Sequence, residues 1–448
     1  MSSTPSSADQ SWEILYDQAS KLPGFVTDFV KSAALPNRGI GLVATRQPPA
    51  DAPLLTVPAD YVISHETIAE YAQEHMEECA AFVQAIETLP IELPIHPRLM
   101  VTLFLLSIPH LEIPQGTSRP RGEFYRAFYD ALPKKIPLPS TWTETEREII
   151  QGTSIANATQ PRQFRNKFIH GALRASEFAP SWVKNLSLEQ YVLADTWYTS
   201  RCLDGSIMVP ILDFANHSSK ANARWERNEA GDMMLVLRDD LAEVVKEGDE
   251  ITISYGEEKG SGELLFTYGF LEEELPYSKQ MTALAIPDGD DVAYELEAKM
   301  EVWKARAVGP PRLTLTVNTD GEHVEWDCPW FYLYILEDDD NIDFMSGYGS
   351  HEPGLTTLRA YIDDEFINEP ADIVRILKAR RNKWPVYQSR ANRAVLQCVE
   401  KQLQVLRETD ELANNVAGRE EVCRLGLKLR EQEMQLLEKV KEQLSQEV

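Results

Sequence analysis

The amino-acid sequence predicts an α+β protein in which short strands flank a long helical stretch and an all-helical region closes the chain. Three patterns carry this expectation. Short apolar runs bounded by Gly, Pro and Asp clusters fall at 39–58 and again at 209–286. From 65 to 190 the apolar residues recur at helical intervals instead. Beyond 295 spacing by threes and fours governs Leu396, Val399, Leu403 and Leu406, and then Val422, Leu425, Leu429, Leu436 and Val440.

Residues 1–10 are polar and Ser-rich and read as disordered. Helical spacing covers 12–30. Gly39 and Gly41 then bracket a turn into a short strand, and 54–58 forms another after the proline-rich loop 48–53. Candidate helices follow at 66–87, 97–107, 123–132 (stopped by Pro133), 142–152, 162–175 and 188–203. Strands are expected at 209–213, 223–227, 233–238, 250–255 and 281–286. The implied organisation is an α+β domain over 11–290, split by a helical insertion at about 65–190, and a helical domain over 295–448. Breaks in the apolar stripe at Gly418 and Glu433 favour packing within the chain over a dimeric coiled coil, so a monomer is expected.

The 448 residues carry 71 acidic and 44 basic side chains, a net charge of −27. This opposes direct binding to nucleic-acid phosphates, which needs a basic face. It suits a basic, lysine-rich protein partner drawn in by electrostatic steering. Five scattered cysteines without a C-x-x-C pair read as reduced thiols and give no zinc framework, so no metal is expected. The apolar stretch 99–108 is too short to span a bilayer, and MSSTPSSADQ lacks the features of a secretory signal. An intracellular protein, cytoplasmic or nuclear and not membrane-bound, is the expectation.

Chemistry concentrates in three pieces: NRGIGLVATR at 37–46, SRCLDGSIMVPILDFANHSS at 200–219, and EGDEITISYGEEKGSGELLFTYGF at 247–270. An apolar run ending in Asp213, Asn216 and His217 sets polar groups at the mouth of a buried segment, and Tyr255 and Tyr268 follow downstream. In this order and spacing the chain resembles the SET-domain methyltransferases. More closely it is similar to the branch with a split SET domain and a C-terminal helical substrate-binding domain, typified by the Rubisco large-subunit lysine methyltransferase.

The resemblance implies S-adenosyl-L-methionine as cofactor and a protein N-methyltransferase activity. Arg38, Gly39, Ile40 and Gly41 match the segment whose backbone approaches the cofactor. Arg201 matches the arginine that meets its carboxylate. Asp213 ends the segment feeding the loop, and Asn216 and His217 match the pair that hydrogen-bonds the methionyl amino group and the adenine. Tyr255 falls on the tyrosine beside the transferring methyl, and also borders the cofactor. Tyr268 and Phe270 match substrate-pocket aromatics that favour an alkylammonium. Ser261 stands where the family often carries asparagine.

Taken singly, these residues have ordinary structural readings. His217 and Asn216 suit a loop, Tyr255 could cap a core, and Arg201 could pair with Asp195 or Asp204 on the surface. Taken together they point to methylation of a lysine on a non-histone protein. Histidine methylation, or a catalytically silent SET-derived binding module, remain the alternatives.

Overall fold

The computed structural model describes residues 7–36, 38–47, 52–89, 96–113, 119–238, 245–256, 259–272, 279–283, 295–307, 309–317, 323–348 and 356–448. The chain divides into two compact units. The first comprises Met1–Thr141, Gln160–Glu257 and Thr267–Gly269; the second comprises Trp142–Thr159, Glu258–Phe266 and Phe270–Val448.

Helix α1 (Ser7–Ser20) leads into strands β1 (Val30–Leu35), β2 (Gly39–Ala44) and β3 (Leu55–Val57). Next come α2 (His65–Glu74), α3 (Ala80–Glu87), α4 (Pro97–Ser107), α5 (Pro120–Ala131), the short α6 (Glu144–Arg147), α7 (Ala156–Ala175), α8 (Ser181–Lys184) and α9 (Leu188–Arg201). Strands return as β4 (Cys202–Leu203), β5 (Ile207–Met208), β6 (Asn216–His217), β7 (Ala223–Arg227), β8 (Met233–Leu237) and β9 (Glu250–Ile253), followed by α10 (Ser261–Tyr268).

Local chemistry explains the sharper boundaries. Pro97 opens α4 where its missing N–H costs nothing, and the His96 ring nitrogen accepts the Arg98 N–H at 3.2 Å. Leu99 to Ser107 are all buried, as befits a helix apolar on every side. At the start of α9, Ser187 and Gln190 satisfy each other's backbone N–H groups in a capping box.

In the first unit, β1, β2, β9 and β6 form one sheet in that order, β3, β8 and β7 another, and β4 pairs with β5. Within the first sheet β6 and β9 are parallel, with Asn216 opposite Thr252 and His217 opposite Ile253. The core behind them gathers Leu42, Phe104, Phe128, Trp197, Met208, Phe214 and Ile251.

Several expectations need correction. Helix α1 starts at Ser7, inside the stretch read as disordered; residues 1–6 lie outside the described residues. The helix expected over 66–87 is two helices. The break after α2 turns Glu78 inward, where its buried carboxylate accepts the Tyr71 hydroxyl at 2.5 Å. Over 142–152 only α6 and the 3-10 turn Glu148–Ile150 form, and Gly152, at φ +80°, reverses the chain. No strand spans 209–213: a 3-10 turn over Leu212–Phe214 takes its place.

The second unit contains β10 (Lys279–Ala283), α11 (Leu296–Arg306), β11 (Arg312–Val317), β12 (Val324–Asp327), α12 (Pro329–Tyr334), β13 (Ile342–Tyr348), β14 (Thr356–Ile362), β15 (Glu365–Phe366), α13 (Pro370–Ala379), α14 (Trp384–Glu408), α15 (Asp410–Asn414) and α16 (Glu420–Glu447). The region beyond 295 is therefore helical but not all-helical. It carries five strands, β11 to β15, which with β10 from before 295 make two antiparallel three-stranded sheets, β10–β11–β12 and β13–β14–β15. Their alternating patterns, such as Leu313, Leu315 and Val317 buried on one face of β11, were hidden between stronger helical signals. One apolar core centres on Trp330, Phe331, Leu406 and Val440, and a smaller one joins Trp142, Ile150, Ile155 and Leu265 to Val422, Leu425 and Leu429.

Glu433, which interrupts the apolar stripe of α16, is fully buried. Its carboxylate accepts the Ser154 N–H at 2.9 Å, the Ser154 hydroxyl at 2.5 Å and the Gln402 amide at 3.2 Å. Burial nevertheless outweighs these donors and pushes its pKa from 4.5 to about 7. The folded protein then holds a proton that the unfolded chain releases, so unfolding free energy falls as pH rises from about 4.5 to about 7. We expect Glu433→Gln to remove this component of the slope. Urea denaturation of both proteins at pH 5, 6, 7 and 8, with an unchanged slope difference, would contradict it.

Candidate functional site

The site is built in the first unit where the β1–β2 hairpin, the end of α9, the turn before β6 and the exit of β9 meet. Gly39, at φ +71°, takes the left-handed conformation that closes the hairpin, and the Arg38 N–H donates to the Leu35 carbonyl at 3.2 Å. Gly41 lies inside β2, opposite Ala33, and does not bracket the turn. Its role is close approach: a Cβ there would sit 2.6 Å from the Asn216 amide nitrogen and 2.5 Å from Leu35 Cδ1. Ile40, between them, is half-buried against the core.

From the turn, the Arg38 guanidinium donates to the His217 carbonyl at 2.6 Å and lies 3.2 Å from Glu250 Oε1. The same Glu250 oxygen accepts the Asn216 side-chain N–H at 2.9 Å. One carboxylate thus ties the hairpin to the first residue of β6.

The approach to β6 is strained. Ile211 is buried at φ +73°, a region β-branched residues avoid at a cost of order 1–3 kcal/mol. The tight turn it produces is held by the Asp213 N–H on the Val209 carbonyl at 2.9 Å and the Phe214 N–H on the Ile211 carbonyl at 3.1 Å. Asp213 is thereby buried facing Arg201, whose Nη1 donates to its carbonyl and its Oδ2, each at 3.2 Å. The Arg201 guanidinium also lies over the Phe214 ring, 4.5 Å from its centroid. Burial raises the Asp213 pKa from 3.8 to about 6 against the opposing pull of Arg201. The surface pairing of Arg201 with Asp195 or Asp204 is replaced by this buried one; Asp195 instead receives Arg98, Arg162 and Arg165. Asp213 Oδ1 and Arg201 Nε are buried with no hydrogen-bond partner among the described residues.

Tyr255 follows β9. Its N–H donates to His217 Nδ1 at 3.0 Å, which leaves the ring proton of a neutral His217 on Nε2. Its hydroxyl donates to the Ala215 carbonyl at 2.9 Å. The ring lies between His217 and Tyr268, with centroids 5.2 and 4.6 Å away, and the Tyr268 hydroxyl reaches the Tyr255 carbonyl at 3.5 Å. Burial raises the phenol pKa, with Asp213 and Tyr268 acting in the same direction and Arg201 and Arg38 against it. The hydroxyl stays protonated at any ordinary pH and can orient a nucleophile but not deprotonate one.

Ten of the sequence-predicted residues therefore sit in one unit: Arg38, Gly39, Ile40, Gly41, Arg201, Asp213, Asn216, His217, Tyr255 and Tyr268. Phe270 is assigned to the second unit, as is Ser261, the buried first residue of α10. Sequence reasoning missed Glu250, and also Asn222, whose side chain pairs with the Glu250 carbonyl at 2.8 Å and the Thr252 N–H at 2.9 Å. A signal for Glu250 existed in EITI, where a charged residue opens an otherwise apolar strand.

Comparison with known proteins bears on this arrangement. The model of the SET domain family matches residues 39–256. SET domain-containing protein 8 of Schizosaccharomyces pombe is 31% identical over 316 residues, covering 68% of this chain and 67% of that protein. The chloroplastic ribulose-1,5-bisphosphate carboxylase/oxygenase large subunit N-methyltransferase of Nicotiana tabacum is 25% identical over 62% of this chain, and the match spans about half (54%) of that enzyme. The structure of Rubisco LSMT bound to AdoMet superposes with a TM-score of 0.61 at 18% identity, covering 99% of this chain and 92% of that one. At that identity the likeness is one of fold.

Proposed function

The chain belongs to the SET-domain family, and from that premise we propose that it is an S-adenosylmethionine-dependent protein-lysine N-methyltransferase. The observation that carries this reading is Tyr255, whose protonated hydroxyl is pinned to the Ala215 carbonyl between two flanking rings.

The residues fit the cofactor. Arg201 Nε and Asp213 Oδ1 are buried polar atoms without hydrogen-bond partners among the described residues, suited to a zwitterionic amino-acid group. Gly41 keeps the β2 backbone open beside Asn216. Arg38, Asn216 and His217 would hold the cofactor from the hairpin and β6, with Arg201 and Asp213 behind them. When bound, S-adenosylmethionine supplies an electrophilic methyl on a cationic sulfonium.

The chain's own contribution is positioning. A lysine ammonium must lose a proton before attack, which at neutral pH costs about 4–5 kcal/mol; desolvation and a neighbouring cation lower that cost. Because its hydrogen is committed to Ala215, the Tyr255 oxygen keeps lone pairs to accept an amine N–H and aim the nitrogen lone pair for in-line displacement. Tyr268, stacked against Tyr255, would wall the same pocket.

The net charge of −27 suits a basic, lysine-rich protein as substrate; that the target is a non-histone protein and the chain a monomer are further parts of the proposal. The described cysteines are all free thiols, which suits a reducing cytoplasmic or nuclear setting. Incubating the purified chain with methyl-labelled cofactor and cell lysate, followed by mass spectrometry, should give methyl-lysine. Methyl-histidine would move the assignment to the other acceptor, and cofactor binding without any transfer would sink the catalytic reading in favour of a binding module.

Glu250 provides a sharper test of the binding half. Glu250→Ala removes the acceptor shared by Arg38 and Asn216, at a cost comparable to one charge-assisted hydrogen bond. Titration calorimetry with S-adenosylhomocysteine should show about tenfold weaker binding; unchanged affinity would remove Glu250 from the site.

A further inference from the structure

Away from the site, α7 stands out from a strongly acidic chain. Between 156 and 175 its charged residues are Arg162, Arg165, Lys167 and Arg174, with no acidic side chain. Arg162 and Arg165 turn towards the buried Asp195 of α9, which Arg98 also contacts. Lys167 and Arg174 are exposed, and the Arg174 Nε–H donates to the Lys184 carbonyl at 2.9 Å, drawing a further lysine alongside. Glu177 is the one acidic residue between 156 and 184.

On this helix the exposed residues Pro161, Phe164, Phe168, Gly171 and Ala175, with Phe178 just beyond its end, recur at intervals of three, four, three, four and three. The phenylalanines are 72%, 56% and 76% exposed. Residues three and four apart are neighbours on a helix, so those from Pro161 to Ala175 make a continuous apolar stripe, and Phe178 lies exposed in the turn that follows. An added Cβ at Gly171 would meet nothing within 4 Å, so the small residues Gly171 and Ala175 leave a shallow notch along the stripe beside Phe168.

We infer that the outer face of α7 is a docking site for an acidic amphipathic helix of a partner protein. The three–four repeat is the spacing at which one helix receives the apolar knobs of another. The basic rim of Lys167, Arg174 and Lys184 selects a helix flanked by Asp and Glu. A second copy meeting α7 through its own α7 would oppose like charges. An anionic membrane or a nucleic acid is an extended polyanion that would face the whole chain's net charge of −27, whereas a single short helix meets chiefly the local basic rim within a Debye length. The inference does not depend on the catalytic reading.

The test uses the full chain and a fluorescent synthetic helix of about three heptads, with Leu at the three–four positions and Glu beside them, against a matched Lys-flanked peptide. Anisotropy should show saturable binding of the Glu peptide alone. Binding should weaken about tenfold in the Phe164→Ser/Phe168→Ser double variant and also in Lys167→Glu, with melting temperatures unchanged because these side chains are exposed. Absence of saturable binding, equal affinity in the double variant, or equal binding of the Lys peptide would overturn the proposal. So would a concentration-dependent dimer, anionic-vesicle pelleting or single-stranded DNA binding that the double variant abolishes.

Discussion

Tyr255→Phe is expected to lower kcat about 10²- to 10³-fold, the scale of losing precise alignment of reacting atoms. It should leave S-adenosylhomocysteine affinity within a factor of a few. The substitution keeps the ring between His217 and Tyr268 and the backbone bond to His217 Nδ1, so only the hydroxyl and its anchor on Ala215 are lost. Because burial holds the phenol protonated, its removal should depress the rate equally across the working pH range. A general base would instead leave a missing limb in the pH profile. Single-turnover methylation of the proposed lysine substrate from pH 6.5 to 9 reads the rate, and titration calorimetry with S-adenosylhomocysteine reads the affinity. A pH-dependent loss, or a loss confined to cofactor binding, would contradict the positioning role.

The largest stability effect is expected in the second unit, at Arg430. This side chain is 1% exposed. It donates to the Ile149 carbonyl at 3.2 Å, the Gln151 carbonyl at 2.6 Å, the Thr409 hydroxyl at 3.1 Å and also the Leu406 carbonyl. Those carbonyls end two separate segments, 149–151 and the last turns of α14, and the guanidinium serves both. Arg430→Ala strands several buried acceptors and opens a cavity, which together cost about 3–5 kcal/mol. Urea unfolding should show this loss, with part recovered by Arg430→Lys, whose ammonium reaches fewer acceptors. A loss below about 1 kcal/mol would mean that water satisfies the carbonyls and that the guanidinium is incidental.

The sequence disclosed most where one signal dominated. Helix α4 matched its expected limits because Pro97 opens it and its residues are apolar on every side, and β7 matched because its alternation is bounded by clear turns. The three motif pieces named ten residues that the first unit holds in its own fold. What stayed hidden depends on three-dimensional competition. The run 209–213 has strand composition, yet tertiary contacts force Ile211 into a left-handed turn that no propensity predicts. Glu250 merely opens a strand in the sequence; only the fold brings Arg38 and Asn216, 212 and 34 positions away, together on its carboxylate. Residues 342–366 carry alternation too brief to stand out beside the long periodic helices that follow.

Each compact unit is assembled from three separated stretches, the first closing only with Thr267–Gly269. During synthesis, β1 and β2 therefore emerge roughly two hundred residues before β9, their sheet partner, and before Tyr268. Until then Leu42 and its hairpin must wait with one edge unpaired, a state prone to misassociation. The entropic penalty of closing so long a loop rises only slowly with length, but it must be met before the pairing stabilises anything. A ribosome-released fragment ending near residue 250 would thus possess the residues proposed to hold the cofactor, from Arg38 to His217, but neither Tyr255 nor Tyr268. Binding of the proposed cofactor would then report completed translation as much as chemistry.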